Sequence, residues 1–458
     1  MPFYDAKFAQ FGTVSWEDGG NLASIYGEDK AAIIYFGHAK SERVVSFNAF
    51  LDSFGLDVNY NADIYKPGAA PYGRVVQKAS QFSYRINLKV PSESVNEARG
   101  NLAKFQELAR YVNPPAEASG DANKATSYLY VLFANLIQNG MYYSSEMGMR
   151  IMDNFGDVKT YGARCFMINI NFEPDLELGF FEYNSKLIPK AYSMSLVLNF
   201  QPLLQQSIGD INSSVRAYNP DGSSNNDLPS WPFGITGFSV ADMNDFRLPS
   251  IGEDGTSSPA ERRGASIGFA DMGETSYRWV AYKAFVDKFS YSKSLEVENI
   301  MDVAGDVTVS DVPYSINEQK YPLSFNVVAH SVNEGRANLI KFQNLIRFCI
   351  KKEESTSGEM YVYFHNLISN PHTPSFTALA RSTIKGNGKL MVVKKCAFEV
   401  DMEMGMFEHN GFLIPKVFKV DLDLEDNGGG TYGIKEPLNR SQLAEGDDSR
   451  WPFGIDYT

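Results

Sequence analysis

The chain has 458 residues, more than a single hydrophobic core usually organises, so at least two domains are expected. Its 43% hydrophobic and 21% charged residues are typical of a globular protein, and 13% aromatic residues with 37 glycines favour strands and turns over an all-helical fold. The net charge of −13 argues against a surface that neutralises the phosphates of a nucleic acid.

The first 40 residues carry no recognisable targeting signal. They begin Met-Pro-Phe-Tyr-Asp, with neither a basic region nor an apolar stretch, and no run of about 18 apolar residues occurs in the chain. We therefore expect neither secretion nor membrane insertion, and interpret residues 1–40 as a preamble to the first domain. Three cysteines without regular spacing, Cys165, Cys349 and Cys396, are expected to be reduced thiols.

A strand followed by a helix comes next along the chain. Residues 82–90 alternate apolar and polar side chains, which predicts a strand with one buried face. Ser94 and Glu97 have the spacing of a capping box, which marks the first turn of a helix. Apolar residues then recur at helical spacing, at Leu102, Phe105, Leu108 and Val112. The segment is therefore predicted to be an amphipathic helix that packs on a sheet.

The first half of the chain closes with loops and a short aromatic motif. Residues 207–230 include Asn-Pro-Asp-Gly-Ser-Ser-Asn-Asn-Asp, a composition typical of a long loop. The motif Trp-Pro-Phe-Gly-Ile follows at 231–235, and is interpreted as an anchor to its own domain or, alternatively, as a plug between subunits. Residues 236–273 contain prolines and a Gly, Ser and Asp-rich stretch, which favours a linker.

The second half of the chain repeats the first. SVNEARGNLAKFQELAR at 94–110 returns as SVNEGRANLIKFQNLIR at 331–347, with 12 of 17 residues identical. Other segments return in the same order: AFLDSF as AFVDKF, FANLI as FHNLI, LELGFFEYNSKLIPK as MEMGMFEHNGFLIPK, and WPFGI as WPFGI at 451–455. An internal repeat of this kind indicates duplication and fusion of one domain.

The repeat and the strand patterns together predict the architecture. In the second half, residues 396–404 and 418–424 alternate in the manner of antiparallel strands. The fold class is therefore expected to be mainly β, with two tandem β-sandwich or barrel domains, each flanked by one helix. We place the first copy at 41–235 and the second at 274–458.

No catalytic motif is apparent. The sequence has no phosphate-binding Gly-x-x-x-x-Gly-Lys-Ser/Thr loop, no Gly-x-Ser-x-Gly turn and no spacing of His and Cys suited to zinc. The five histidines include no His-x-x-x-His pair. We therefore expect no enzymatic activity, no cofactor and no metal.

Acidic residues alternate along the predicted strands. They are Glu173, Asp175 and Glu177 in the first copy, and Glu399, Asp401, Glu403, Asp421 and Asp423 in the second. One interpretation is an ordinary solvated sheet face. The functional interpretation is the acidic lining of a pore, which would repel a polyanion such as DNA and let it slide without sticking. Paired carboxylates of a glycosidase are a third reading, but no sugar-binding cleft is indicated.

The repeated unit resembles the tail-tube fold of contractile-tailed phages. The segments that carry the resemblance are RINLKVPSESVNEARGNLAKFQELAR, YLYVLFANLI and NINFEPDLELGFFEYNSKLIPKAYSMSLVLNF. It covers about 45–205 and 280–425. In that family small β-barrels with a flanking helix join edge to edge into a six-part ring around a DNA channel.

The resemblance implies a structural protein of the virion tail, in the baseplate tube or hub. Three chains would build a pseudo-sixfold ring, or six chains would stack their two units in tiers. Its partners would be further copies of itself and neighbouring tube, hub or baseplate proteins, and DNA would pass through during ejection.

Two other functions remain open at this point. A duplicated β-sandwich that binds carbohydrate or a host surface would expose aromatic platforms and stay monomeric. An acid/base enzyme would have carboxylates with strongly perturbed pKa values in one groove between the copies.

Overall fold

In a computed structural model, the chain is mainly β, as the sequence predicted. The structure describes residues 31–39, 41–60, 62–65, 74–77, 81–112, 129–133, 155–156, 158, 163–200, 264–271, 279–297, 314–348, 359–364, 384–385, 388–409 and 412–426. These residues form antiparallel strands and two long helices. The Trp-Pro-Phe-Gly-Ile motifs and most of the predicted linker lie outside them.

The first half forms a closed barrel of six antiparallel strands. In order around the barrel they are β1 (Ala31–His38), β2 (Arg43–Asn59), β5 (Gln81–Pro91), β10 (Ala191–Phe200), β7 (Ala163–Pro174) and β6 (Leu129–Phe133). β6 pairs again with β1, so the sheet closes on itself. Two hairpins stand beside it, β3 (Ala62–Tyr65) with β4 (Arg74–Gln77), and β8 (Phe180–Tyr183) with β9 (Lys186–Pro189).

The second half forms a barrel of the same topology. Its strands in order are β11 (Gly264–Asp271), β12 (Trp279–Phe289), β14 (Tyr314–Val328), β19 (Val417–Asp426), β16 (Lys389–Val400) and β15 (Glu359–Phe364). β15 pairs with β11 and closes the barrel. β13 (Ser292–Val297) pairs with the first part of β14, and β17 (Met406–His409) pairs with β18 (Phe412–Pro415).

Two barrel strands lie where the sequence predicted none. β1 falls in the predicted preamble 1–40, and β11 falls in the predicted linker 236–273. Both strands are short and rich in Ala and Gly, so they lack the apolar and polar alternation that reveals the other strands. Each barrel therefore begins before the domain boundary that we placed at 41 or 274.

The two barrels share their irregularities as well as their topology. β2 has a one-residue bulge at Asp52, and β12 has the same bulge at its counterpart Asp287. β7 has a bulge at Ile168, and β16 has one at the counterpart Lys394. Because bulges are conserved features of a fold, these matched pairs extend the sequence repeat to the level of hydrogen-bond register.

Both predicted helices are present and capped as expected. α1 (Val95–Val112) begins with Ser94, whose hydroxyl accepts a hydrogen bond from the Glu97 amide at 3.2 Å. α2 (Val332–Phe348) begins with the same arrangement between Ser331 and Glu334, also at 3.2 Å. The apolar stripe of each helix packs on its own barrel, as the spacing of its leucines and phenylalanines predicted.

The second helix is more deeply buried than the first. Gln343 and Lys341 of α2 are buried, whereas their counterparts in α1 are an exposed Gln106 and a half-buried Lys104. Burial lowers the pKa of the Lys341 amine to about 8, although the nearby Glu334 carboxylate acts in the opposite direction. The Lys341 ammonium also lies 5.9 Å from the centre of the Tyr282 ring.

The buried amine predicts a pH-dependent stability. Because the pKa of Lys341 is lower in the folded than in the unfolded chain, the unfolded chain binds more protons between about pH 8 and 10, and stability rises with pH there. Lys341→Met is expected to raise the free energy of unfolding at pH 7 by about 1–3 kcal/mol and to reduce that rise. Urea unfolding at several pH values measures both, with Lys186→Met at an exposed position of β9 as the control. Equal pH profiles for wild type and Lys341→Met would contradict this assignment.

Candidate functional site: a joint between the two barrels

A strand of the first barrel is hydrogen-bonded to a strand of the second. Residues Gly55–Asn59 of β2 pair antiparallel with Lys395–Glu399 of β16, and the Tyr60 amide continues the ladder to the Lys394 carbonyl at 3.0 Å. The outer strands β7, β10, β5, β2, β16, β19, β14 and β12 therefore form one continuous sheet. Half of its strands come from each barrel.

The bulges lie where each strand changes partner. Arg43–Phe50 of β2 pair with β1 inside the first barrel, and after the bulge at Asp52 the strand reaches β16. β16 similarly pairs with β15 before its bulge at Lys394 and with β2 after it. A bulge bends its strand and ends local pairing, which lets one strand close its own barrel and still present an edge to a neighbour.

Buried aromatic side chains cross the joint. The ring of Phe54 in the first barrel lies 6.4 Å from that of Phe398 in the second, in an edge-on arrangement. Phe398 packs in turn on Phe342 of α2 at 5.0 Å. The Tyr60 hydroxyl donates a hydrogen bond to the Ile346 carbonyl at 2.9 Å, near the end of α2. The hydrophobic core thus runs through both barrels without interruption.

Charged side chains fix the register of the joint. The Asp57 carboxylate accepts a hydrogen bond from Arg85 Nε at 2.5 Å and lies 3.4 Å from Lys395 Nζ of the second barrel. Lys394 Nζ bonds the Ala62 carbonyl of the first barrel and lies 3.0 Å from Glu425. Exposed ion pairs add little stability, so we interpret the Asp57 pair as setting which residues meet.

The joint pairs the β2 edge of the first barrel with the β16 edge of the second. Each barrel also has the counterpart of the edge that the other barrel uses in the joint. In the first barrel, β7 pairs with β6 along Ala163–Cys165, but no described strand pairs with that edge at 169–173, the counterpart of the β16 edge. In the second barrel, residues 290–294 are the counterpart of Gly55–Asn59, and among the described strands they pair with β14 alone. Among the described strands, each barrel therefore has one edge without a neighbouring barrel, and these two edges, the counterparts of those that form the joint, are called the free edges below.

Aromatic residues of the joint recur at both free edges. Phe289 is the counterpart of Phe54, and Phe172 is the counterpart of Phe398. Phe54 and Phe398 are fully buried, whereas Phe289 and Phe172 are only half buried. The free edges thus have the aromatic pair that the joint uses, in a partly exposed state.

Half of the predicted acidic residues lie in turns rather than on a strand face. β7 ends at Pro174 and β16 ends at Val400, before Asp175, Glu177, Asp401 and Glu403. The Asp175 carboxylate accepts from the amides of Glu177 and Leu178 at 3.0 and 3.2 Å, and Asp401 repeats this at Glu403 and Met404. The hydrogen bond from Lys89, with those amides, lowers the pKa of Asp175. These aspartates cap turns, which Gly179 and Gly405 complete with φ of 76°.

The other four acidic residues lie on the outer face of the joined sheet, among cations. Glu399 stands opposite Lys419 in the register of β16 and β19, and Asp423 stands opposite Lys395. Asp421 lies 3.6 Å from Lys419 Nζ, and Glu173 stands opposite Ser193. The described part of this face is therefore mixed in charge, which differs from the uniformly acidic surface that the alternation predicted.

The remaining sequence expectations concern thiols, metals and membranes. Cys165 and Cys396 are buried free thiols, and burial raises the pKa of Cys165. Cys349 lies outside the described residues. Among the described residues, no group of His, Cys, Asp and Glu could hold a metal ion. Neither described helix is long and apolar enough to cross a membrane.

No protein-family model matches the sequence, and a search of curated proteins finds no significant match.

Sequence reasoning missed the residues that form the joint. Asp57, Tyr60, Lys394 and Lys395 carry no motif, because strand pairing is made by backbone groups that every residue type possesses. A usable signal for the turns was present in the sequence. An Asp and a Gly four residues apart occur at 175 and 179, and again at 401 and 405.

The hydrogen bond from Tyr60 predicts a stability change at the joint. α2 ends at Phe348, so the Ile346 carbonyl is among the last four, which have no partner within the helix. Tyr60→Phe is expected to lower the free energy of unfolding by about 1–2 kcal/mol, because a buried carbonyl loses its donor. Urea unfolding measures this, with the exposed Tyr183→Phe as the matched control. A Tyr60→Phe protein as stable as the control would contradict the assignment.

Proposed function

We propose that this chain is a ring-forming structural protein of a phage tail, in the baseplate-tube or hub region, and that its ring surrounds a channel for DNA. The observation that supports this is the joint between the barrels. It pairs one surface of the first barrel with a different surface of the second, and leaves the complementary surfaces at the two ends of the chain.

A joint between unlike surfaces can be repeated from chain to chain. Such head-to-tail contacts generate a closed ring when the rotation per unit closes, and a filament when it does not. If the joint between chains resembles the joint within the chain, three chains complete a ring of six barrels. Six chains stacking their barrels in two tiers is the other arrangement of the same units.

The continuous sheet suits the wall of a channel. Its inner face contributes buried residues to both barrels, and its outer face carries polar and charged residues of both signs. In a ring this outer face would line the channel. On this face Lys395, Lys419 and Arg85 are each paired with a carboxylate, and the net charge of −13 opposes the binding of DNA phosphates.

Covalent and catalytic chemistry has no support in the described part of the chain. The carboxylates with a described role cap turns or pair with cations, as Asp175 and Asp57 do. We therefore propose a structural role, with further copies of the chain and neighbouring tail proteins as partners, and the virion tail as its location.

The first expected outcome is self-assembly of the purified chain. Light scattering should give the mass of three or six chains, and negative-stain images of the same peak should show rings with a central hole. The number of chains settles the symmetry. A monomer at high concentration, also in the presence of virion lysate, would contradict the proposal and favour the duplicated carbohydrate or host-surface binding module.

The head-to-tail register gives a second expected outcome. Asp57 stands opposite Ala397 within the chain, so their counterparts Ser292 and Asn171 should stand opposite each other between chains. A chain with Ser292→Cys and Asn171→Cys should form disulfides between chains under mild oxidation, because paired strand residues are close enough for that bond. The covalent ladder on a non-reducing gel should end at the size of the ring. Each single variant is the control and should give no ladder beyond a dimer; rings without cross-links in the double variant would contradict this register.

A further inference from the structure

Exposed apolar side chains are concentrated in one segment of the first barrel, around the β8–β9 hairpin. Of the described residues, eight large hydrophobic side chains are exposed, and six of them fall between 168 and 187. Leu176 is 70% exposed, Leu187 is 69% exposed and Phe180 is 36% exposed. We call these three residues the hairpin patch, because they lie in the turn after β7 and on the β8–β9 hairpin. Large exposed apolar patches are typical of interaction sites.

The same positions are covered in the second barrel. The counterparts of Leu176, Phe180 and Leu187 are Met402, Met406 and Leu413, which are 8%, 2% and 5% exposed. All three belong to the continuous core that includes the joint. Leu178 and its counterpart Met404 are exposed in both barrels, at 45% and 55%, so not every apolar residue of this region differs.

The barrels differ in what lies at this edge. The second barrel has the first barrel on the edge of β16, while the corresponding edge of β7 has no described neighbour. The hairpin patch follows β7 directly in the chain, and its hairpin contacts α1. The patch is therefore continuous with the free edge that the proposed head-to-tail contact would use.

We propose that the hairpin patch docks the second-barrel end of another copy of this chain, and that the joint between chains is apolar where the joint within the chain is charged. This inference rests on the proposed function. Its occupant is indicated by Phe285 on β12, the one other exposed aromatic among the described residues outside the 168–187 region; its counterpart Phe50 is half buried.

At the positions that carry the charged contacts of the joint, the two free edges have neutral residues. Where Lys394 and Lys395 make charged contacts within the chain, the first barrel has Ile168 and Asn169, and Ile168 is 60% exposed. Where the first barrel has Asp57, the second has Ser292. If the β2 edge of another first barrel met the β7 edge, its Asp57 carboxylate would find no cation at Asn169. The corresponding edge of a second barrel has Ser292 there and brings no carboxylate. This difference selects the second-barrel end as the partner.

Two variants and a salt series test the inference on the full chain. Leu176→Ser with Leu187→Ser removes two exposed side chains, so folding should be unaffected, which the urea midpoint checks. The dissociation constant of the assembly, from sedimentation velocity on a dilution series, should rise about tenfold or more for each leucine lost from a buried contact. Leu178→Ser is the matched control and should change it less than about twofold. Raising NaCl from 0.1 to 0.5 M should weaken the wild-type assembly less than tenfold, because the positions of the Asp57 and Lys395 pair are neutral at the free edges.

Each outcome decides between the two proposals. Rings that are as tight in the Leu176 and Leu187 variant as in wild type, or equally weakened by Leu178→Ser, would overturn the hairpin patch and leave the ring function standing. A tenfold weakening of wild type by salt would overturn the neutral joint in the same way. A wild-type chain that never self-associates would overturn both the patch and the ring.

Discussion

The backbone ladder between Gly55–Asn59 and Lys395–Glu399 is the contact on which the arrangement of the molecule depends. Each barrel closes on itself, so each could bury its core alone, and nothing inside a barrel determines how the two are placed. The ladder determines the position of one barrel relative to the other, because strand pairing fixes both direction and register. The core then becomes continuous through Phe54 and Phe398, and Tyr60 of the first barrel contacts the end of α2.

A closed barrel normally has no edge to offer, which protects it from unwanted pairing. This chain restores an edge locally, by bulges at Asp52 and Lys394 that let one strand serve its own barrel first and its neighbour afterwards. The same bulges at Asp287 and Ile168 show that the capacity for pairing is built into both copies. Edges of this kind remain a hazard for aggregation unless they meet a defined partner, which is a physical reason to expect assembly.

The sequence predicted those features that local side-chain patterns encode. The capping boxes at Ser94 and Ser331 are short-range and were read correctly, as was the mainly β fold from alternation along β5 and β16. β1 and β11 were missed because small residues blur alternation, and the turns at Asp175 and Asp401 were misread because their apolar neighbours continue it. The joint was beyond reach, since backbone pairing between residues more than 300 positions apart leaves no local pattern.

Fusion of the two copies would explain why the joint within the chain and the proposed joint between chains differ in chemistry. Within one chain the partner barrel is present at a high effective concentration, so the joint needs little binding energy and can use the Asp57 and Lys395 pair, which is worth little in water but specifies register. A joint between chains must overcome the entropy of association from dilute solution, and burial of apolar surface is the effective means of doing so. Leu176, Phe180 and Leu187 are exposed on the first barrel, where the proposed joint between chains would bury them. Their counterparts in the second barrel, which forms the joint within the chain, are already covered.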